Sequence, residues 1–453
     1  MAAQMVGVET AGHNLANVNT PNYSRQRVEL TTDSSSGVQA LSVQRVVDDL
    51  LNGRLQSQSG VQGYWEAQQS SLQNAETGLN EFLNSTGSTD ASSSTATATD
   101  ANASLSAKLL KFFGATQTLA NPGGNTLGNR NLLVNAAQTL ASTFNQVSSQ
   151  LAAARATADS MLAADSSAAN KLLANIADLN GQISDAEFSG GMANDLRDQR
   201  DQALQNLGKL ANFTTSTSAN GAINVAIGGQ TLVSGTTVQD TLQTYDAGGG
   251  QMLLRTATGA PPLTVSSGRL GGEITARDTT IAAVQAGVDL LAGTFIAQVN
   301  AVHATGFTIN GTTGNALFTG TTAATMAVNG ALVANSDLLQ ISKSATAAAD
   351  SSVASALGQL NDSVQSALGS QTFSKAYSKI VSNLGSDLKT ANDQADSQSA
   401  VTAMLSAQRN SVSGVSTDEE MTTLLAFQRA YTASAELLKT VDQMIQTTLA
   451  MKT

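Results

Sequence analysis

Between Asn129 and Glu187 an apolar residue recurs at every third or fourth position: Leu133, Ala137, Leu140, Phe144, Val147, Leu151, Ala154, Ala158 and Met161, then Leu172, Ile176, Leu179 and Ile183. Steps of four and three are the spacing of a coiled-coil seam, and the extra four-residue step from Leu172 to Ile176 reads as a stutter. Nearly sixty residues of helix span about 85 Å at 1.5 Å per residue, more than a compact globular domain of this size can hold. The sequence therefore predicts an elongated helical architecture.

The last forty residues strengthen that expectation. Ser416 and Thr417 each stand three residues before a glutamate, Glu419 and Glu420, so either hydroxyl can cap a helix start while the glutamate reaches back to a free amide. From there to Met451 no proline or glycine intervenes, which predicts a rod of about 50 Å. Leu424, Phe427, Tyr431, Leu438, Val441, Ile445 and Leu449 fall in one arc of the helical wheel, while Met421, Leu425, Leu437 and Met444 lie outside it. A terminal helix with so wide an apolar surface is unstable alone, because most helical stability comes from packing. It either closes its own bundle or is completed by neighbouring copies, and its pattern fits both.

Elsewhere, residues 1 to 20 read as a short helix running into Asn17, Asn19 and Thr20 before Pro21, where the chain must turn or extend. PNYSRQRVEL then alternates loosely as a strand. Residues 48 to 84 carry a helical seam at Trp65, Leu72, Leu79 and Phe82/Leu83, with Trp65 read as core rather than a ligand platform. Residues 85 to 104 are Ser/Thr/Ala-rich and read as a loop or weak link. After the break at Ser189-Gly190-Gly191, Leu196, Ala203, Leu207 and Leu210 mark a further helix. That helix holds the densest charge cluster, Asp195, Arg197, Asp198, Arg200 and Asp201, read as a solvated network with Arg197 and Asp201 paired at i, i+4, or as a docking surface.

At Asn212 the composition changes to Thr, Val and Gly. Turns at Asn220-Gly221 and Gly228-Gly229 separate AINVAI and TLVS as a hairpin, and TLQTY and QMLLRT supply further strands up to Pro261-Pro262. Helical spacing resumes at Glu273 through Ile281, Val284, Val288, Leu291, Phe295 and Val299, ending near Gly306. It returns from Phe373 and Tyr377 to Leu405.

Composition narrows the function. Aromatics are only 4% of the 453 residues and charged residues 13%, a mix that favours long smooth-faced helices over an enzyme core. A net charge of −11 disfavours sequence-independent attraction to nucleic acid or anionic lipid, so no nucleic-acid partner and no membrane insertion are expected. Without cysteine there is no disulfide, thiolate metal site or cysteine nucleophile. His13 and His303 are the only histidines and stand far apart, and HExxH, P-loop and GxSxG patterns are absent. No catalytic, cofactor or metal residue is expected. Neither a secretory signal nor a run of 18 apolar residues is present, so export is expected to use another route.

GHNLANVNTPNYSRQRVEL resembles the N-terminal signature of flagellar axial proteins of rod, hook and hook-filament junction, and GVSTDEEMTTLLAFQRAYTASAELLKTVDQMI the C-terminal signature of the hook-associated protein 1 family. SVSGVSTDEEM and NDLRDQRDQAL are close to the same family, as are SLSAKLLKFFGATQTLANPGG and the loop GFTINGTTGNALF. Family members usually carry further residues before the stretch matching Ala2-Ala3-Gln4, so half of the terminal coiled coil is expected to be missing here. The resemblance implies a structural subunit of the hook-filament junction, required for filament assembly. Its implied partners are copies of itself in a ring, hook protein, hook-associated protein 3 and an export chaperone. It implies an extracellular, flagellar location reached unfolded through the flagellar export apparatus.

The expected organisation is mainly α with a β insert: a terminal coiled coil from 1–35 with 415–453, an elongated helical bundle from 36–211 with 273–414, and an inserted β domain at 212–272. Within the bundle, 307–372 is a reduced loop or strand insert with LLQIS as one strand. Assembly contacts are expected at Leu15, Val18, Leu424, Phe427, Tyr431, Leu438, Val441, Ile445 and Leu449. The rivals are another axial protein, such as hook-associated protein 3 or hook protein, and a wall-cleaving enzyme addressed by the same helices. SVSGVSTDEEM weighs against the first. The second needs an acidic pair or metal site, and 212–272 holds only Asp240 and Asp246 as carboxylates.

Overall fold

A computed structural model describes residues 1–33, 37–79, 104–188, 190–218, 220–248, 250–259, 261–347 and 349–451. Phe82, Leu83 and nearly all of the Ser/Thr/Ala-rich segment lie outside the described residues. The chain forms two compact units, one from residues 1–65, 163–271 and 394–453, the other from 66–162 and 272–393. The inserted sheets thus share a unit with both terminal helices, a different partition from the three domains expected.

The long seam is one helix, α4, Leu127–Phe188 (62 residues), about 93 Å of rod. Its buried positions follow the expected series as far as Ala158 and then depart from it. Leu162, Ser166, Ala169 and Leu173 are buried in place of Met161 and Leu172, before Ile176, Leu179 and Ile183 rejoin. The stutter therefore falls at Ala158, Leu162 and Ser166, three consecutive four-residue steps, and not between Leu172 and Ile176. Four-residue steps rotate the seam around the helix, which brings Leu162 rather than Met161 inward.

In the second unit α3, Leu105–Ala120, contributes Phe112 and Phe113 to an aromatic cluster. Phe295 comes from α7, Ala282–His303, and Phe373 from α10, Phe373–Ser413. Phe295 meets Phe112 and Phe373 edge-on at 5.2 Å each, and Phe318 at 5.6 Å. The helical run leading into α7 starts earlier than expected, with α6 at Gly268–Thr275, and passes through a π-helical turn, Ala276–Ile281. Gly268–His303 is long and apolar enough to cross a membrane, but Leu291, Phe295 and Val299 are fully buried in the protein core.

His303, at the end of α7, is completely buried. Its Nδ1 bonds the carbonyl of Asn315 at 2.9 Å and its Nε2 accepts the Gln340 N–H at 3.0 Å, a neutral core tautomer. The reduced insert after it holds β9 (Phe318–Thr319) and β10 (Ala327–Val328) as an antiparallel pair, then the short helices α8 (Gly330–Ala334) and α9 (Ser352–Gln359). LLQIS is no full strand and contributes only a bridge from Ser342 to Phe307.

In the first unit the sheet region follows its turn signals. Strands β3 (Phe213–Thr217), β4 (Ile223–Ile227), β5 (Gln230–Ser234) and β6 (Thr237–Val238) form an antiparallel meander, and β7 (Leu242–Asp246) pairs with β8 (Met252–Thr256). Gly228 and Gly229, both at positive φ, make the β4–β5 turn that only glycine enters without strain. Two asparagines of α4 fasten these sheets to the helix. Asn180 donates to the carbonyls of Ile223 (2.9 Å) and Gly235 (2.7 Å) and accepts from Ile223 N–H. Asn170 bonds both backbone groups of Leu242 at 2.8 Å.

Helix α2 runs Asp49–Leu79. Leu72 and Leu79 are buried as expected, but Trp65 is only half-buried and lies edge-on to Tyr64 at 5.2 Å, so it is not a core residue.

Candidate assembly interface

Helix α1, Ala2–Ala16, is followed by a turn at Pro21-Asn22, with Asn22 at φ 61°. Asparagine tolerates that left-handed conformation better than most residues. The chain then enters a hairpin of β1 (Gln26–Asp33) and β2 (Gly37–Arg45). The second strand was not legible in the sequence.

Helix α5, Asn194–Leu210, holds the charge cluster, and its charges do not pair along one helix face. Arg197 forks onto Glu187 at 2.7 and 2.8 Å rather than onto Asp201. Asp198 and Asp201 both receive Arg45 from β2, at 2.7 and 2.8 Å, and Asp198 also accepts Ser24 N–H at 2.8 Å. Burial opposes the Arg45 charge, yet its carboxylate partners outweigh that and hold the guanidinium above its ordinary pKa. Arg200 is buried, donating to Asn180 Oδ1 at 2.8 Å. Through Asp198 and Asp201 the cluster seats the N-terminal turn, while Asp195 stays exposed. Arg409 of α10 also holds this turn, donating to Asn22 O at 2.8 Å and Ser24 Oγ at 3.3 Å.

Helix α11, Thr417–Ala450, is capped by Ser416, whose side chain accepts Glu419 N–H. The expected reciprocal bond is replaced, because the Glu419 carboxylate turns to Arg25 at 2.7 Å. Asn14 is the buried centre of the contact between α1 and α11. Its amide nitrogen donates to Gln26 O (2.8 Å) and Glu420 Oε2 (3.1 Å), and its Oδ1 accepts from Gln26 N–H (2.9 Å) and the Tyr23 hydroxyl (2.8 Å). Burial, with Asp195, Asp198 and Glu420 nearby, pushes the Tyr23 hydroxyl well above the usual phenol range, so it stays a donor. His13 bonds Tyr23 Oη at 2.9 Å and reaches Asp195 at 3.2 Å, a structural role.

Asn14 meets Glu420, and a Cβ on Gly7 would lie 2.6 Å from the Phe427 ring. Seven residues back along α1 is seven forward along α11, so the two helices run antiparallel. Continuing that register places Ala2 opposite about residue 432 of α11. Relative to the described α1, α11 runs on past that point as an overhang of about 18 residues, or roughly 27 Å.

The expected contact residues divide at that point. Leu424 and Phe427 are half-buried, on the side of α11 that carries Glu420 and meets α1, and Tyr431 is 39% exposed. Leu438, Val441, Ile445 and Leu449 lie on the overhang and are all exposed, as are Leu437 and Met444 on the adjoining face. Leu15, in the last turn of α1, and Val18, just past its end, are half-buried. Among the described residues no three His, Asp or Glu side chains converge as a metal site.

The model of the flagellar hook-associated protein FlgK helical domain matches residues 92–318, half of the chain. The chain belongs to the FlgK family. A second model, of the C-terminal region of flagellar basal body rod FlgEFG proteins, matches residues 406–451, the end of α10 and all of α11. This FlgK-family chain is similar over nearly its whole length to proteins named flagellar hook-associated protein 1. The Bacillus subtilis relative is 27% identical, covering 98% of this chain and 95% of the relative, and that of Escherichia coli is 23% identical, covering 97% and 96%. The fold is that of the flagellar hook junction protein FlgK from Burkholderia pseudomallei, with a TM-score of 0.64 at 18% identity over 81% of this chain and all of that one.

Proposed function

We infer that this chain is a structural subunit of the bacterial flagellum, placed at the junction between hook and filament and required for filament assembly. The observation that carries the reading is the FlgK-family match, with relatives named flagellar hook-associated protein 1 aligned over nearly the whole chain. An exposed stripe supports it: six large apolar side chains, Leu437, Leu438, Val441, Met444, Ile445 and Leu449, face solvent along the end of α11. A stripe of that kind marks a protein-protein contact. Copies of the same chain in a ring cover it, with hook protein on one side and hook-associated protein 3 on the other. An export chaperone holds the same stripe before assembly, and the chain reaches the flagellar exterior through the flagellar export apparatus. It performs no catalysis and binds no cofactor. A strain deleted for this chain should make hooks of normal length and release filament protein into the medium. Normal filaments in that strain would overturn the reading.

A further inference from the structure

Glu420 is the buried residue of α11, 5% exposed, on a helix whose large apolar residues are otherwise half-buried or exposed. Burying a carboxylate costs desolvation that a leucine would not, and its polar contacts must offset that cost. Its contacts suggest another role. One oxygen receives the buried Asn14 amide at 3.1 Å, and the other lies 3.7 Å from Arg25 Nε. Arg25 is itself fixed through its backbone N–H to Ser413 O at 2.7 Å. Along the same seam α1 offers small residues, Ala3, Gly7 and Ala11, whose surface gives an apolar helix little to distinguish one heptad from the next.

We propose that Asn14 and Glu420 are positioning residues that pin the register of α11 on α1 and so set where the apolar overhang projects for assembly. A buried polar contact fixes register in helix pairs because a slipped alignment takes the Glu420 carboxylate away from the Asn14 amide, while Asn14 keeps its bonds to Gln26 and Tyr23. Phe427 over Gly7 is a second pin on the same register. A slip of one heptad would shift the overhang by about 10 Å along its axis, enough to move Leu438 onto the place of Ile445.

The proposal rests on the overhang being an assembly surface, and the test separates the two. The chain has no cysteine, so spin labels at Glu9→Cys and Gln443→Cys report one distance, with an axial separation of about 27 Å in the register described. The wild-type background should give a single narrow distribution. Glu420→Leu should keep the thermal unfolding midpoint of the body, add a population displaced by about 10 Å, and fail to restore filaments to the deletion strain. Glu420→Gln still accepts the Asn14 amide, and should restore both the single distance and filaments. A broad wild-type distribution, or a single unshifted distance in Glu420→Leu, would overturn the pin. A displaced register with normal filaments would overturn its link to assembly. Normal filaments with Leu438→Asp would instead overturn the assembly-surface reading and leave the register result standing.

Discussion

Acidification should destabilise the second unit through His303 in a window set by its burial. In the unfolded chain the imidazole titrates near its ordinary 6.5, whereas burial lowers it to about 4 in the fold. The folded value is depressed, so the neutral form carries the stability: it is fully present above pH 6.5 and lost progressively as pH falls towards 4, with no further change below. The gap between those two values is worth about 3 kcal/mol. The geometry gives the reason. Protonating Nε2 would set its N–H against the Gln340 N–H that it now accepts at 3.0 Å. The assay is urea unfolding followed by helical circular dichroism from pH 7.5 to pH 4, for wild type and His303→Gln. The variant should be less stable at pH 7.5 by about 1–3 kcal/mol through lost hydrogen bonds, and the gap between the proteins should shrink as pH falls. Carboxylates contribute to both curves and cancel in the difference. Parallel curves across pH 4 to 6.5 would refute the reasoning.

Three further outcomes follow from the contacts. Gly7→Ala should force Phe427 outward, since its Cβ would lie 2.6 Å from the ring; overpacking of that kind costs about 1–3 kcal/mol, seen as faster amide exchange over residues 420–431 with the second unit unchanged. Asn180→Leu should release the β3–β6 sheet from α4 by removing three backbone hydrogen bonds, read as early proteolytic cleavage between residues 213 and 238 while the helical signal persists. In the isolated subunit, amides of residues 436–450 should exchange fast and those of 420–431 more slowly, because only the latter lie beside α1; equal protection along α11 would contradict the overhang.

Periodicity and turn chemistry are local, and they placed most of the fold. The seam from Leu133 to Ala158, the glycine turn at Gly228-Gly229 and the Ser416 cap were all legible because each is decided within a few residues. The seam past Ala158 was not. Met161 and Leu162 are adjacent apolar residues, as are Leu172 and Leu173, so either could be inward until the neighbours were known. The candidate site was legible as a list of apolar residues and not as a division among them. That Phe427 rests on Gly7 while Leu438 faces solvent depends on how α1 docks along α11. The Asn14–Glu420 contact spans 406 residues, and nothing in the spacing of either helix announces it. Arg197 illustrates the opposite error, a plausible i, i+4 partner in Asp201 displaced by a better fork onto Glu187.

The central claim is that the overhang of α11 is an assembly surface. Leu438 is 54% exposed in the subunit, so Leu438→Asp should change the stability of the isolated protein by no more than about 0.5 kcal/mol. In an assembled ring the same carboxylate would be buried without a partner, at a cost of several kcal/mol repeated at every subunit. The direct measurement is electron microscopy of the deletion strain expressing this variant, with the culture medium assayed for the exported protein. Exported variant, normal hooks and missing filaments are the predicted result. Normal filaments on those hooks would contradict the account.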